Sequence, residues 1–289
     1  MSDTTMNLPT EWMTAIIKQT IPKYLNTSYS VDGVKLRSYG QKANDLNIEF
    51  SRKPKNELTT DILQLCASSS DGSQLSIDFL CDLPLGVRYE GILKIALLSL
   101  GGFIDLALKC SNIDCNQRLE IKLTLEDIQH VVTNAEPTDN ITFERANHIY
   151  TFRKPTGRDQ IEWAQKLRNK ESSQVNLVLK FLLIDESDKI LENELVELAE
   201  SLIDLGQLFQ DADPLINLII PVSCPSCSVV TSHSLDSESI AIDCLQSIHR
   251  NLVESIHILA THYHWTESEI LSLPSWRRNL YLSMIGGDR

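Results

Sequence analysis

Leu106–Leu125 reads LALKCSNIDCNQRLEIKLTL and Leu215–Leu235 reads LINLIIPVSCPSCSVVTSHSL. Each is a pair of apolar, β-prone arms around a short polar tip holding two cysteines, Cys110 and Cys115 in the first and Cys224 and Cys227 in the second. Apolar runs on either side of a turn-forming centre predict a β-hairpin, so each cysteine pair is expected at a hairpin tip. A tetrahedral zinc ion takes four thiolates at about 2.3 Å, and two tips facing each other supply them, as in a zinc ribbon. Ordinary ribbons place the pairs much closer together, whereas 109 positions separate Cys115 from Cys224. A shared ion therefore requires the intervening segment to leave the site and return to it. The alternatives are a redox dithiol or four unconnected thiols. Cys66, Cys81 and Cys244 lack a spaced partner and sit in apolar strings, where a thiol packs as a small apolar group.

Composition narrows the function. Across 289 residues, 26 Lys and Arg stand against 39 Asp and Glu, a net charge of −13. Nucleic-acid binders neutralise phosphates with clustered basic residues, so this balance argues against one. A hydrophobic content of 42% is enough to bury a core. The longest apolar run, Ile92–Leu100, contains Lys94 and is too short to span a bilayer. The start, MSDTTMNLPTEWM, has no basic segment followed by an apolar one, and the seven cysteines are an odd number. The expectation is a cytoplasmic protein in which paired cysteines are metal ligands.

Along the chain, Thr10–Leu25 carries Trp12, Ile16, Ile17, Ile21 and Leu25 near helical spacing. From Tyr29 to Leu83, short apolar stretches (Val34–Leu36, Leu46–Phe50, Ile62–Cys66, Leu75–Phe79) lie between Gly, Asn, Asp and Ser, which predicts a β-rich N-terminal region. Tyr89–Leu100 fits a buried helix stopped by Gly101-Gly102. Phe103–Lys109, Leu119–Leu125 and Thr142–Phe152 read as strands. Pro155-Thr156-Gly157-Arg158-Asp159 then opens a helical tract with pieces at Asp159–Asn169, Val175–Ile184 and Ile190–Phe209. A helix-initiating turn explains that pentapeptide more simply than an anion site. From Ser237, Ala241, Leu245, Ile248, Leu252, Ile256, Leu259 and Tyr263 step along one face of a helix ending near His264. Thr266 and Pro274 start two shorter helices. The fold class is α+β, with an expected division into residues 1–82 and 83–289, a helical insertion at 156–210, and C-terminal helices at 237–289.

Catalytic signatures are sparse. His257, His262 and His264 lie near Glu254 and Glu267, but His257 and His262 are five apart and point about 140° from one another on a helix. Helix-end packing accounts for them better than a metal site does. There is no phosphate-binding glycine loop and no G-x-S-x-G elbow.

Five strings in order resemble the T-even phage baseplate hub assembly chaperone family, in the branch associated with phage-tail-like contractile injection systems. They are LSLGG (Leu98–Gly102), Leu106–Ile128 with the first tip, FRKPTGRDQ (Phe152–Gln160), SCPSC (Ser223–Cys227), and HILATHYHWTESEILSLPSWRRNLYL (His257–Leu282). Residues 1 to about 80 carry no such strings. The resemblance implies a non-enzymatic assembly factor or minor structural subunit of a contractile-tail baseplate, with a structural zinc on Cys110, Cys115, Cys224 and Cys227. Its partners would be baseplate or hub proteins, with no nucleic acid, membrane span or small-molecule substrate. It would reside in the cytoplasm during assembly or be retained in the particle. A closed four-thiolate site leaves no position for water, so its role would be structural. Tyr263, Trp265, Leu273, Trp276, Arg277 and Arg278 have the aromatic and Arg composition of contact hot spots, although the same aromatics could cap a local core. Two rival functions fit the same sequence: a zinc-stabilised interaction adaptor unrelated to tails, and a metal-dependent hydrolase using the C-terminal histidines.

Overall fold

The computed structural model describes residues 34–135, 138, 140–145, 148–168, 182–184 and 202–287. The helix expected at Thr10–Leu25 lies outside them, as do most of Val175–Ile184 and the first half of Ile190–Phe209. Among the described residues no helix is long and apolar enough to cross a membrane.

The architecture is α+β, built on two helices. α3 (Leu85–Leu100) carries Ile92, Leu93, Ile95, Ala96 and Leu97 without any exposed surface, each large side chain contributing roughly 1.5–3 kcal/mol on burial. It ends at Gly101, whose φ of 84° suits glycine, and runs directly into the strand that begins at Phe103. α7 (Ser237–Tyr263) is capped by Asp236, which accepts from the Ser239 N–H at 2.9 Å, and buries Ala241, Ile242 and Leu245 against α3. Two polar ties fix their alignment. Gln160 donates to Tyr89 Oη at 3.1 Å and Glu238 Oε2 at 3.0 Å. Tyr39 donates its N–H to Ser99 Oγ at 2.8 Å, and its hydroxyl lies 2.8 Å from His249 Nδ1. Residue 89 is thus level with 238 and 99 with 249, so the helices run in the same direction.

Two-stranded antiparallel hairpins accompany this pair: β3 (Phe103–Lys109) with β4 (Arg118–Thr124), β5 (Asn140–Arg145) with β6 (His148–Arg153), and β7 (Leu218–Ser223) with β8 (Val230–Leu235). α4 (Leu125–Asn134) follows β4, and α5 (Gly157–Arg168) and α6 (Leu202–Ala212) are the described helices of the inserted tract. α8 (Glu267–Ser272) and α9 (Ser275–Gly287) close the chain.

The β-rich reading of residues 34–82 is corrected. Ile62–Cys66, expected as a strand, belongs to α1 (Lys55–Cys66). Leu58, Ile62 and Cys66 line one buried face at a spacing of four, a period hidden by the β-branched Thr59 and Thr60. Phe79 lies in α2 (Ile77–Asp82), started by Ser76, whose hydroxyl accepts the Phe79 N–H at 3.2 Å. Leu46–Phe50 begins in a short 3-10 turn, Ala43–Asn47. That turn is organised by Asp45, fully buried, which takes two bonds from Arg37 at 2.7 and 2.6 Å and the N–H groups of Gly40, Gln41 and Lys42. Strand remains only in β1 (Lys35–Leu36) paired with β2 (Ala67–Ser68). Ile62, Leu63 and Leu80 share one cluster with Ile92, Ile104 and Leu245. The expected boundary at residues 82 and 83 therefore falls inside a continuous core.

The string Phe152–Gln160 interlocks with α3. Phe152 is fully buried. Arg153 grips Asp159 with two bonds of 2.6 Å, and Lys154 donates to the Ala212 carbonyl at 2.7 Å. Leu85 donates its N–H to Pro155 O at 2.8 Å, and Gly157 donates to Leu83 O at 3.2 Å. Thr156 and Asp159 cap α5, so the start of that helix already holds a carboxylate in place of a bound anion. Arg158 reaches Asp82 and Asp78. Beneath the loop lies Arg88, with no exposed surface, donating to the carbonyls of Leu80 at 2.6 Å and Asn56 at 3.0 Å and to Thr60 Oγ1 at 2.9 Å. A Cβ at Gly157 would lie 2.6 Å from Arg88 Cζ.

Gly157→Ala should therefore lower stability by about 1–3 kcal/mol, since the guanidinium is held on three sides and cannot retreat; urea unfolding measures it. Asp213 supplies a pH test. Burial pushes its carboxyl up to about 6, against the opposing pull of Lys154. A folded-state value above the unfolded one means that the native state holds the extra proton, so this group favours folding at low pH. Its contribution is lost as pH rises from about 4 to about 6. Asp213→Asn should flatten stability across that window, read by thermal unfolding at each pH.

Candidate metal centre

The two cysteine tips are built alike. In the first, Cys110 donates its N–H to Gln117 O at 2.8 Å, and Asn116, at φ 46°, turns the chain back after Cys115. In the second, Cys224 donates to Val229 O at 3.0 Å, and Ser228, at φ 58°, follows Cys227. In each tip, then, the residue after the second cysteine is left-handed, and the next one pairs with the first cysteine. Asn tolerates this conformation readily; Ser228 is held by its own N–H on Cys224 O at 2.9 Å.

The hairpins bring the four sulfurs together as expected. Cys110 Sγ lies 3.7 Å from Cys227 Sγ, and Cys115 Sγ lies 3.7 Å from Cys224 Sγ. All four sit within 4.8 Å of one another. A tetrahedron with metal–sulfur bonds of about 2.3 Å has edges of about 3.8 Å, so the donor set fits one four-coordinate ion. Cys110 and Cys224 are buried and Cys115 and Cys227 half-buried, with Leu108, Leu119 and Val222 packed around them. No ligand position is left for substrate in such a shell.

Backbone amides point at the sulfurs. The Cys227 N–H, chiefly, and that of Ser226 lower the Cys224 thiol to about 7 against the opposing effect of burial. Amides of Asn112 and Gln117 act on Cys110 and Cys115 in the same sense, but burial and the neighbouring sulfurs outweigh them and raise both. A divalent ion held by the four sulfurs would offset their mutual repulsion and let each bind as thiolate. Among the described residues this is the one place where three or more His, Cys, Asp or Glu side chains converge on a common point. Cys66 and Cys81 are buried and Cys244 half-buried, all three as free thiols.

The C-terminal element divides the six residues expected at a partner surface. The long helix ends at His264, φ 58°, and Thr266 with Glu269 caps α8. Tyr263 stacks on Trp265 with centroids 4.7 Å apart, and Tyr281 meets both edge-on. These rings pack on Leu252, Ile256, Leu259, Ile270 and Leu271. Leu273 and Arg278 are half-buried, and Arg277 donates to Tyr281 Oη at 3.1 Å. Trp276 points outward with 66% of its surface exposed, and Leu280 and Met284, one and two turns on, are exposed beside it. Sequence reading missed those two, although their spacing of four from Trp276 carries the signal.

A family model described as T4 bacteriophage base plate protein matches residues 40–240. No curated protein and no solved structure matches the chain. The matched span holds both cysteine tips, α3 and the interlocking Phe152–Gln160 string. It also takes in residues 40–82, which the sequence strings left outside the resemblance, and it ends within α7, short of the C-terminal element. Covering more than two thirds of the residues, the match shows that this chain belongs to the T4 bacteriophage base plate protein family.

Proposed function

We propose that the chain is a non-enzymatic assembly factor or minor structural subunit of the baseplate of a contractile phage tail or phage-tail-like injection system, in the hub assembly chaperone branch, stabilised by one zinc ion. The observation that carries this reading is a closed, half-buried four-sulfur cluster lying within the span matched by a baseplate family. Four thiolates at tetrahedral spacing favour zinc among abundant divalent ions, and a saturated shell provides mechanical linkage with no Lewis-acid site for substrate. The ion would staple two hairpins whose cysteines are more than one hundred residues apart. Binding free energy at such a site becomes folding free energy, on the order of 10 kcal/mol in isolated zinc modules. The ion's partners are Cys110, Cys115, Cys224 and Cys227; the chain's partners are other baseplate or hub proteins. It acts during assembly in the cytoplasm and either leaves or stays in the particle.

For the partner surface, Trp276 with Leu280 and Met284 forms the outward stripe of α9, bordered by Arg277. Tyr263 and Trp265 support it from within.

Elemental analysis of protein purified without chelator should find about one zinc per chain, and Cys224→Ser should lower both metal content and melting temperature. A folded, metal-free chain of unchanged stability would remove zinc from the account. Trp276→Ala should weaken capture of baseplate partners by roughly 2 kcal/mol or more, about 30-fold, while leaving thermal stability intact. Trp265→Ala should do the opposite, destabilising the fold through the lost ring stack. Equal capture by wild type and Trp276→Ala would place the contact elsewhere.

A further inference from the structure

Two-stranded hairpins leave backbone edges open, and native proteins blunt such edges with charge, proline or covering segments. In an antiparallel pair, residues at non-hydrogen-bonded positions direct their own N–H and C=O away from the partner strand. The tips fix which residues those are. Cys110 bonds to Gln117 and Cys224 to Val229, so stepping back along each ladder gives the outward-facing set.

On β3 this set is Phe103, Asp105, Ala107 and Lys109, and on β4 it is Arg118, Glu120, Lys122 and Thr124. Both edges are guarded by charge. On β7 it is Ile219, Pro221 and Ser223, and the proline has no N–H to offer. β6 is covered: Phe152 bridges Leu183, and Ile184 donates to Thr151 O at 2.8 Å. On β8 the outward set is Val230, Ser232 and Ser234. None carries charge, none is proline, all three are exposed, and no backbone bond reaches them among the described residues. From Pro214 to Leu235 the chain has no Asp, Glu, Lys or Arg, in a protein with a net charge of −13. Charge depletion of this kind marks the core of a protein contact.

We infer that the open edge of β8 accepts an extended segment of another protein by strand addition, its backbone pairing with Val230, Ser232 and Ser234. The occupant is a heterologous strand with apolar or hydroxyl side chains and no acidic ones. A second copy of the chain would set two net charges of −13 against each other, whereas a neutral or basic strand meets no such repulsion. That the partner is a baseplate protein rests on the function proposed above; the pairing surface rests on the ladder alone.

The test uses the full-length chain co-expressed with the baseplate proteins of its own gene cluster. Ser232→Pro removes one outward N–H and no ladder bond, and should cut partner recovery at least 10-fold, while Ser232→Ala leaves it unchanged. Val230→Lys with Ser234→Lys, which keeps every backbone group, is the second variant, with the same expected loss at unchanged melting temperature. Amide hydrogen exchange should show Val230, Ser232 and Ser234 fast in the free chain and protected in the complex. Equal recovery by all variants, with those amides unprotected, would overturn strand addition while leaving the baseplate reading intact. No baseplate protein recovered by the wild type would overturn both. A wild-type dimer that Ser232→Pro converts to monomer would overturn the heterologous partner in favour of self-pairing.

Discussion

Arg88 is the constraint around which the rest is arranged. A guanidinium without exposed surface must find acceptors from within; here Nη1 and Nη2 find them on α1 and the end of α2, Nε has no partner among the described residues, and Gly157 presses against the group. Burial lowers its proton affinity, yet an arginine stays charged in any accessible range. The cationic centre therefore has to be enclosed by carbonyls and supported by the field of Glu238 at the start of α7. Those groups can take their places only when the N-terminal helices, the Phe152–Gln160 loop and α7 are assembled around α3 together. One side chain thus couples four regions distant in sequence.

The sulfur cluster is the second coupling, and it differs in kind. The Arg88 centre depends on three hydrogen bonds and tolerates no added volume; the cysteine centre gathers four sulfurs within a small shell of Leu108, Leu119 and Val222. The chain enters the inserted tract between β4 and β7 and comes back to both places. Lys154 on Ala212 and Asp213 on Gly86 hold the returning end close to α3. The hairpin carrying Cys224 therefore leaves from a fixed point.

Much of this was legible in the sequence where a local signal and a global one agreed. Gly101-Gly102 after an apolar dodecamer placed the end of α3, the Ser237 start and His264 end of α7 followed from an uninterrupted 3.6-residue period, and the cysteine tips declared themselves by residue type. Residues 34–82 were misread because short apolar runs carry no period of their own. α1 is helical through its packing on α3, and its Thr59 and Thr60 favour strands when taken alone. The Asp45 centre was invisible for another reason, since three of its five bonds come from backbone N–H groups that any sequence possesses and the other two from Arg37, eight residues away. At the site, ligands could be read but outward faces could not. Tyr263 at the end of α7 and Trp276 in α9 are the same kind of residue, one packed inward and the other exposed.

The parallel pairing of α3 with α7 also bears on the order in which the protein is made. The most apolar of the described helices emerges long before its cover, because the helix that covers it is completed only when Tyr263 has been added. At synthesis rates of about 5–20 residues per second, Ile92, Leu93 and Leu97 wait on the order of ten seconds or more beside the ribosome without their main apolar partner. The first cysteine tip waits a shorter time, for a counterpart 109 residues further on. The newborn chain is therefore itself a client for protection, in a protein whose proposed work is to help others assemble.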